Sequence, residues 1–314
     1  MPYGISFCRA NKREINMINT YQGKLIDLHT HSNYSDGTLS PRRLVDAAAD
    51  AGLTAIALTD HDTVDGILEA MDAGWRYNVE VVPGIELSTS MEGYPVIHIL
   101  GYYIDVNNSG LKKSLSMQAL GRKAVHESYL KRLADFGFYM THEEVLKYCP
   151  NGHIGRVHYA RVMQEKGYVD SFQQAFEEYL SVGMPIYLEK ETMSPEKAIQ
   201  LIRDAGGVSF LAHPLQLKLD KLEMGALLEK LKGAGLNGIE AYYSEHSTIQ
   251  QEWLLLLASK HELLVSGGSD YHADMKPHIQ IGSGIGGKLK VPYHLLDAIK
   301  EARPKVKGVY RKKL

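Results

Sequence analysis

The sequence contains very little cysteine. Its 314 residues include only two, Cys8 and Cys149. Two cysteines cannot build the disulfide framework of a small secreted protein, and they do not form a cysteine-based zinc motif. This shortage predicts a protein of the reducing cytoplasm.

Long apolar runs are also missing. No stretch reaches the roughly 18 apolar residues that a membrane-spanning helix needs. The first residues lack the charged-then-apolar order that is typical of a signal peptide. We therefore predict that the protein has no membrane partner, and we interpret residues 1–22 as an N-terminal extension ahead of the first strand.

Neither sign of charge dominates the composition. The chain has 35 lysines and arginines against 37 aspartates and glutamates, which gives a formal net charge of -2. Proteins that bind duplex or long nucleic acids usually present a basic surface or channel. The balance predicts that duplex nucleic acid is not a partner, and it favours a short substrate over a long polymer.

Short apolar runs alternate with helical patterns along most of the chain. The runs cover residues 25–29, 55–59, 79–83, 96–101, 208–212, 238–242 and 263–267. Two of the intervening helices have clear starts, because Ser40 and Ser194 are each followed by a proline at the first helical position. Apolar strands that alternate with helices predict an α/β fold with a parallel sheet, closed or nearly closed into a barrel.

The alternation fails between residues 106 and 191. This stretch is polar, aromatic and helical in pattern, and it is too long for a structureless loop. We predict a helical insertion that forms a lid over one face of the barrel. The expected division is 1–22 (extension), 23–105 (barrel, first part), 106–191 (lid) and 192–314 (barrel, second part). His126 and His261 lie in polar helical contexts and are expected on the surface.

Nine histidine, aspartate and glutamate residues form the most informative pattern. Eight of them lie at or just past the end of an apolar run, where an α/β barrel gathers its chemistry. His29 and His31 are two residues apart, so an extended strand points both imidazoles the same way. Nitrogen and oxygen ligands without cysteine suit manganese, iron or zinc, and nine ligands are too many for one ion. The pattern predicts a cluster of two or three divalent metal ions bound by His29, His31, Asp36, His61, Glu86, His98, His213, Asp270 and His272. For His98, which lies inside an apolar run, a buried core histidine is the alternative.

The motifs that carry these residues also identify a family resemblance. In chain order they read H-T-H-S-N-Y-S-D-G, T-D-H-D, G-I-E-L-S, A-H-P and S-D-Y-H. This ordered set resembles the polymerase and histidinol phosphatase superfamily of metal-dependent phosphoesterases, which implies a distorted (β/α)7 barrel. Within the insertion, G-R-V-H-Y-A, E-K-G-Y-V and A-F-E-E-Y-L are similar to one branch of that superfamily. That branch removes phosphate from nucleoside 3′,5′-bisphosphates or shortens small RNAs from the 5′ end.

The resemblance implies a role for each ligand. By ion, the implied sets are His29, His31, Glu86 and Asp270 for the first, Glu86 as a bridge with His98 and His213 for the second, and Asp36, His61 and His272 for the third. Glu86, His213 and Asp270 are the expected catalytic residues. Manganese is the expected metal, with iron and zinc as alternatives, and the expected reaction is attack on phosphorus by a metal-bound hydroxide.

A phosphorylated nucleotide or the end of a short single-stranded RNA is the implied substrate. Arg156 is the main candidate to bind its phosphate, because a planar guanidinium matches two phosphate oxygens. It lies in the insertion, where a lid could lower it onto the substrate, and a surface arginine is the alternative. His158 and His246 are weaker candidates for the same role.

Three other functions stay open at this point. A phosphatase of another small metabolite, such as histidinol phosphate, would use the same metal ligands. An amidohydrolase also begins with His-x-His on a barrel, although here Glu86 takes the bridging position that a lysine often takes in that class. A barrel that binds metal without catalysing a reaction is the non-enzymatic alternative.

Overall fold

Seven strands lie where the sequence predicts them. The computed structural model describes residues 23–94, 96–188 and 192–304, so the expected N-terminal extension lies outside the described residues. The strands are β1 (Leu25–Thr30), β2 (Ala55–Leu58), β3 (Glu80–Thr89), β4 (Ile97–Tyr102), β5 (Val208–Leu211), β6 (Gly238–Tyr243) and β7 (Leu264–Gly268). Three short strands follow, β8 (Ile279–Gln280), β9 (Gly284–Ile285) and β10 (Val291–Pro292).

The main sheet has the strand order β10-β1-β2-β3-β4-β5-β6-β7. The expectation of a parallel sheet is wrong at β4, which is antiparallel to both β3 and β5. The reason is the connection: only residues 90–96 join β3 to β4, and a parallel crossover needs roughly a dozen residues or more. The short β10 is also antiparallel, to β1. The predicted distorted barrel is confirmed, with this reversal as its main irregularity.

The reversed β4 brings its first residues to the rim where the parallel strands end. His98 is the second residue of β4 and pairs with Ser88, whereas Glu86 on β3 pairs with Leu100. Glu86 and His98 are therefore diagonal neighbours on one face of the sheet. A histidine that lies inside an apolar run in the sequence thus reaches the same rim as the other candidate ligands.

The barrel is nearly closed between β1 and β7. Beyond the strand ends, the backbone N–H of His31 donates to Tyr271 O and that of Asp270 donates to His29 O, both at 2.9 Å. A Cβ atom on Gly268 would lie 2.3 Å from the backbone nitrogen of His29. The close approach of the two strands therefore requires glycine at position 268.

Gly268→Ala is expected to lower the free energy of unfolding by about 2 kcal/mol, because the added methyl group forces the two strands apart. Gly225→Ala is the matched control. Gly225 lies in a helix and a Cβ there would meet nothing within 4 Å, so this variant should be stabilised by up to about 1 kcal/mol. Urea unfolding measures both values, and equal effects of the two substitutions would contradict the proposed strand contact.

Helices cover the outside of the barrel and build the insertion. They are α1 (Pro41–Asp50), α2 (Ile67–Tyr77), α3 (Ser109–Asp135), α4 (His142–Leu146), α5 (Arg156–Glu165), α6 (Phe172–Ala175), α7 (Pro195–Asp204), α8 (Lys221–Gly233), α9 (Thr248–Lys260) and α10 (His294–Glu301). The two predicted starts are confirmed, because the side chains of Ser40 and Ser194 accept hydrogen bonds from the first turns of α1 and α7. Within the described segments, none of the helices is both long enough and apolar enough to cross a bilayer.

The barrel has apolar side chains on both faces of its sheet. Ile26, Leu100 and Phe210 belong to a buried cluster inside the barrel. Leu44 and Ile56 belong to a second cluster, between the sheet and the outer helices. Full burial of one such side chain contributes roughly 1.5–3 kcal/mol. These two layers hold the strand ends, and with them the candidate ligands, in fixed positions.

The insertion has a hydrophobic cluster of its own. Tyr129 and Leu133 of α3 pack there with Tyr159 and Met163 of α5. The expectation that His126 lies on the surface is wrong: its side chain is buried, because α3 packs against α5, and its Nδ1 lies 2.7 Å from the Tyr159 hydroxyl. The placement of the domain boundaries at residues 105 and 191 stays a prediction.

His261 is also buried rather than on the surface. It follows the last turn of α9, and its Nδ1 lies 2.8 Å from Glu229 Oε1 on the neighbouring helix α8. The polar sequence around it predicts exposure, but the packing of two adjacent helices covers the ring. This pair lies outside the candidate site and provides a control for an experiment described below.

Candidate metal centre and substrate cavity

All nine predicted ligands meet at one rim of the barrel. They come from the ends of the strands, from the short segments after them and from the start of the reversed β4. The donor atoms fall into three neighbouring groups, and His31 and His61 each lie within reach of more than one of them. Glu86 connects these groups, because its carboxylate reaches imidazoles on both sides.

The first group surrounds one carboxylate oxygen of Glu86. His29 Nε2 lies 3.2 Å and His31 Nε2 lies 3.3 Å from Glu86 Oε2. Asp270 Oδ1 lies 3.5 Å and 3.3 Å from the same two nitrogens. Ligand atoms that bind one ion at about 2.1 Å are separated by roughly 3.0–3.4 Å. The spacing of these four atoms therefore fits a single divalent ion.

The second group surrounds the other oxygen of Glu86. His98 Nδ1 and His213 Nε2 each lie 2.9 Å from Glu86 Oε1. The two nitrogens are 3.3 Å apart. Glu86 thus offers one oxygen to each group, which is how a carboxylate bridges two ions.

The third group is more open. His272 Nε2 lies 3.2 Å from Asp36 Oδ1, and His61 Nε2 lies 3.7 Å from Asp36 Oδ2. The other nitrogen of His61, Nδ1, lies 3.1 Å from Glu86 Oε2. His61 therefore stands between the third group and the bridging carboxylate.

Three ligand atoms of this centre are buried and have no hydrogen-bond partner within the described segments. They are His29 Nε2, His31 Nε2 and His61 Nδ1. Carboxylate oxygens lie close to all three nitrogens, but not in the alignment that a hydrogen bond requires. A buried polar atom without a partner costs free energy, and bound ions would satisfy all three. The residues present therefore fit a cluster of divalent metal ions.

The carboxylates of the centre are held in their ionised form. Burial by itself would raise the pKa of Glu86, but the imidazoles of His61, His29 and His98 hold it well below its usual range. Burial would also raise the pKa of Asp270, but nearby cationic groups, Lys276 most of all, hold this pKa well below its usual range. Metal ligands must be deprotonated, so these carboxylates are ready to bind cations at neutral pH.

Sequence reasoning missed the side chains that hold the ligands in place. Asp270 Oδ2 accepts hydrogen bonds from the Tyr243 hydroxyl at 2.8 Å and from Lys276 Nζ at 2.6 Å. Glu240 of β6 is fully buried and contacts His29 and His213. The available signal for Glu240 was a single acidic residue inside an otherwise apolar strand.

Asp60 supports the loop that follows β1. It accepts hydrogen bonds from the backbone N–H of Ser32 at 2.7 Å and from the Ser32 and Ser35 hydroxyls at 2.6 Å. Because Ser32 follows His31 directly and Ser35 precedes Asp36, this carboxylate fixes two ligands at once. Its place immediately before His61 in T-D-H-D was the signal that sequence reasoning did not use.

A cavity of about 450 Å³ lies above the nine ligands. Barrel residues form one side, and the insertion supplies aromatic and cationic side chains on the other. Arg122 of α3 was not predicted. It lines this cavity, and its Nη1 lies 3.2 Å from Asp62 Oδ2. This ion pair joins the insertion to the segment that carries His61.

Two of the three predicted phosphate-binding residues line the cavity. Arg156 Nη1 donates to Leu180 O at 3.0 Å, and its guanidinium lies 5.3 Å from the centre of the Tyr187 ring. No carboxylate pairs with Arg156 in the part of the chain that the structure describes. His158 Nδ1 accepts a hydrogen bond from the backbone N–H of Gly155 at 2.9 Å. The proton of this neutral ring is therefore on Nε2, which is buried and has no hydrogen-bond partner in the described part of the chain.

His246 lies outside the cavity lining. Its Nδ1 donates to Ala241 O at 3.0 Å, and its ring packs 5.1 Å from the ring of Tyr243. Tyr243, against which it packs, donates a hydrogen bond to Asp270 of the metal centre. The structure therefore does not bring His246 together with Arg156 and His158.

Known proteins share this fold and a substantial part of this sequence. The model of the PHP domain matches residues 27–193, which is more than half of the chain. The chain belongs to the PHP domain family. A 3′,5′-nucleoside bisphosphate phosphatase from Chromobacterium violaceum is 34% identical to this PHP protein over 256 residues, which cover 79% of the chain and 87% of the relative. A 5′-3′ exoribonuclease from Haemophilus influenzae is 34% identical over 255 residues, which cover 79% of the chain and 90% of the relative.

A solved structure extends the comparison to the fold. A Bifidobacterium adolescentis protein described as a metal-dependent phosphoesterase superimposes with a TM-score of 0.78 and 29% sequence identity. The match covers 88% of this PHP protein and 96% of that chain. The relatives confirm the predicted family and the predicted class of enzyme, a phosphoric ester hydrolase.

Proposed function

We propose that this PHP protein hydrolyses phosphate esters of nucleotides, with nucleoside 3′,5′-bisphosphates as preferred substrates and short RNA 5′ ends as the second class. The observation that carries this proposal is that one cavity offers two places for an anion. One is the rim of candidate metal ligands, seven of which line the cavity and where bound cations would attract a phosphate, and the other is Arg156, which has no carboxylate partner among the described residues. The names of two relatives, a bisphosphate phosphatase and a 5′-3′ exoribonuclease, support the same substrates.

The proposed metal cluster consists of two or three divalent ions, with manganese first and iron or zinc accepted by the same donors. The proposed ligands are His29, His31, Asp36, His61, Glu86, His98, His213, Asp270 and His272. When bound, such ions supply Lewis acidity that screens phosphoryl oxygens and lowers the pKa of water. In this proposal Glu86, His213 and Asp270 act as catalytic residues by holding the ions that would bind the reacting phosphate group.

Arg156 is proposed to bind the phosphate that is not cleaved. Its guanidinium is held by the Leu180 carbonyl and by the faces of Tyr187 and Phe176. These contacts fix the orientation of the planar group but leave its charge without a counter-ion among the described residues, so a phosphate would complete the site. His158 is proposed to donate its free Nε2–H to the same anion, which makes the site selective for a second phosphate.

The size of the cavity favours one nucleotide at a time. Its volume of about 450 Å³ lies within the range of roughly 300–1,000 Å³ that is typical of small-molecule pockets. A short RNA would therefore present its terminal nucleotide, with the rest of the strand outside. The near-neutral composition also lacks the excess of basic residues expected for a protein that binds long nucleic acids.

The proposal is tested by phosphate release in the presence of manganese. The substrates are adenosine 3′,5′-bisphosphate, adenosine 3′-monophosphate, a 5′-phosphorylated short RNA and histidinol phosphate. We expect kcat/KM for the bisphosphate to exceed that for the monophosphate by about 10²-fold, since the second phosphate adds a charge-assisted contact of ~2–3 kcal/mol.

The other outcomes separate the alternatives. Stepwise release of nucleotides from the RNA would make RNA ends the main substrate. Cleavage of histidinol phosphate alone would replace the proposal with a small-metabolite phosphatase. If the metal-bound protein cleaves none of the four substrates, the result would support a barrel that binds metal without catalysing a reaction.

A further inference from the structure

One fully buried carboxylate next to the metal centre has no place among the proposed ligands. Glu240 lies in the middle of β6, and its side chain is completely shielded from solvent. Within the residues that the structure describes, no lysine or arginine pairs with it. Burying a carboxylate is costly unless it is paired and hydrogen-bonded. The contacts of Glu240 must therefore account for its charge.

One oxygen of Glu240 fixes the proton of His29. Glu240 Oε1 lies 2.9 Å from His29 Nδ1. A carboxylate oxygen accepts a hydrogen bond, so an imidazole that binds metal through Nε2 keeps its proton on Nδ1, where Glu240 accepts it. The lone pair of the ring is then on Nε2, which lies 3.2 Å from Glu86 Oε2 and has no hydrogen-bond partner among the described residues. Glu240 thus aims the lone pair of His29 at the first group of ligand atoms.

The other oxygen of Glu240 holds the backbone of His213. Glu240 Oε2 accepts the backbone N–H of His213 at 2.7 Å. His213 has φ +26°, a conformation that is rare for a residue with a side chain. Such a conformation persists only when surrounding contacts hold it. This hydrogen bond helps to keep His213 Nε2 at 2.9 Å from Glu86 Oε1, in the second group.

We propose that Glu240 is a positioning residue that couples the first two metal sites. A single buried carboxylate holds one ligand of each site, and Glu86 bridges the same two sites from the opposite side. Loss of either hydrogen bond disturbs both sites together, so the two ions bind as a unit. The third group, formed by Asp36, His61 and His272, makes no contact with Glu240 among the described residues, so its ion is expected to bind without help from Glu240.

This inference rests on the proposed metal centre and not on the identity of the substrate. Its test is Glu240→Gln, measured as bound Mn²⁺ per chain against free Mn²⁺ in a chelator buffer. The amide offers one oxygen and one NH₂ group, so one of the two hydrogen bonds becomes a contact between two donors. We expect the affinity for two ions to fall together by roughly 10–100-fold, while the third ion binds as in the unmodified protein.

Turnover gives a second readout that a purely structural role would not produce. Saturating Mn²⁺ should restore most of kcat in Glu240→Gln, with KM for the phosphate ester unchanged. The matched control is Glu229→Gln. Glu229 Oε1 lies 2.8 Å from Nδ1 of another buried imidazole, His261, and this pair lies outside the candidate site. This control should leave the Mn²⁺ binding curve unchanged.

Several results would overturn the inference. Unchanged Mn²⁺ affinities in Glu240→Gln would show that the two hydrogen bonds do not position the ligands. An equal loss at all three sites would indicate a general structural role. If Glu240→Gln does not fold, Glu240→Asp keeps the charge and shortens the side chain, and the same paired loss is expected of it. If none of the substrates is cleaved but Glu240→Gln still weakens the binding of two ions together, the proposed function is overturned and the role of Glu240 is not.

Discussion

Replacing Glu86 with glutamine is expected to abolish phosphate release and to reduce the number of bound metal ions. Glu86 Oε2 faces His29 and His31, and its Oε1 faces His98 and His213. The amide removes the negative charge and replaces one of these oxygens with a donor. Without the bridged pair of ions, the negative charge of the transition state is less well stabilised, and we expect the activation free energy to rise by about 4 kcal/mol or more. This corresponds to a rate that is roughly 10³-fold lower. Phosphate release and metal analysis of the purified variant measure both effects.

Glu80→Gln is the matched control on the same strand. Glu80 begins β3 at the opposite end of the barrel, where it accepts hydrogen bonds from the Tyr103 hydroxyl and from Lys300. The substitution removes the same charge from the same strand, but it leaves the ligand rim untouched. We expect unchanged turnover and metal content. Full activity of Glu86→Gln, or an equal loss in both variants, would contradict a bridging role for Glu86.

Arg156→Ala is expected to have the second largest effect on catalysis. The cavity then loses the guanidinium that is proposed to bind the phosphate that is not cleaved. We expect kcat/KM for adenosine 3′,5′-bisphosphate to fall by about 10²-fold, mainly through a higher KM, which corresponds to a lost contact of ~2–3 kcal/mol. Steady-state kinetics on the bisphosphate and on adenosine 3′-monophosphate separate this loss from a general defect, because the monophosphate lacks the second phosphate.

Two further variants sharpen the test of Arg156. Arg161 lies on the same helix, α5, outside the cavity lining, and its Nη1 lies 3.5 Å from Gln164 Oε1. The Arg161→Ala variant should therefore behave like the unmodified protein. Arg156→Lys keeps the charge but loses the planar fork, so an intermediate kcat/KM is expected. If Arg156→Ala slowed the monophosphate as much as the bisphosphate, Arg156 would not be a specific phosphate contact.

The positions of most ligands could be predicted because the barrel gathers strand ends at one face. His61, His213 and Asp270 follow apolar runs in the sequence, and the structure places all three at that face. His98 is different, since its own run is apolar on both sides. It reaches the rim because β4 is reversed, and that reversal depends on the short connection between β3 and β4.

His29 illustrates a structural detail that alternation does not reveal. Ile26 and Leu28 both pack inside the barrel, and strict alternation would turn His29 to the opposite face. The register between β1 and β2 shifts, with Asp27 opposite Ile56 and Thr30 opposite Leu58. The extra residue on β1 is a bulge, which lets His29 face Glu86 on the same side as Leu28.

The sequence by itself determined the elements, the fold class and the chemical type of the ligands, because strand runs, helix caps and short motifs are local signals. Only the tertiary structure decided that Arg122 and Arg156 line the cavity, that His246 stays behind Tyr243 and that Glu240 holds two ligands. The physical reason is that hydrogen bonds and ion pairs depend on side chains that the folded chain brings together, however far apart they lie in the sequence. His29 and Glu240, for example, are separated by 211 positions.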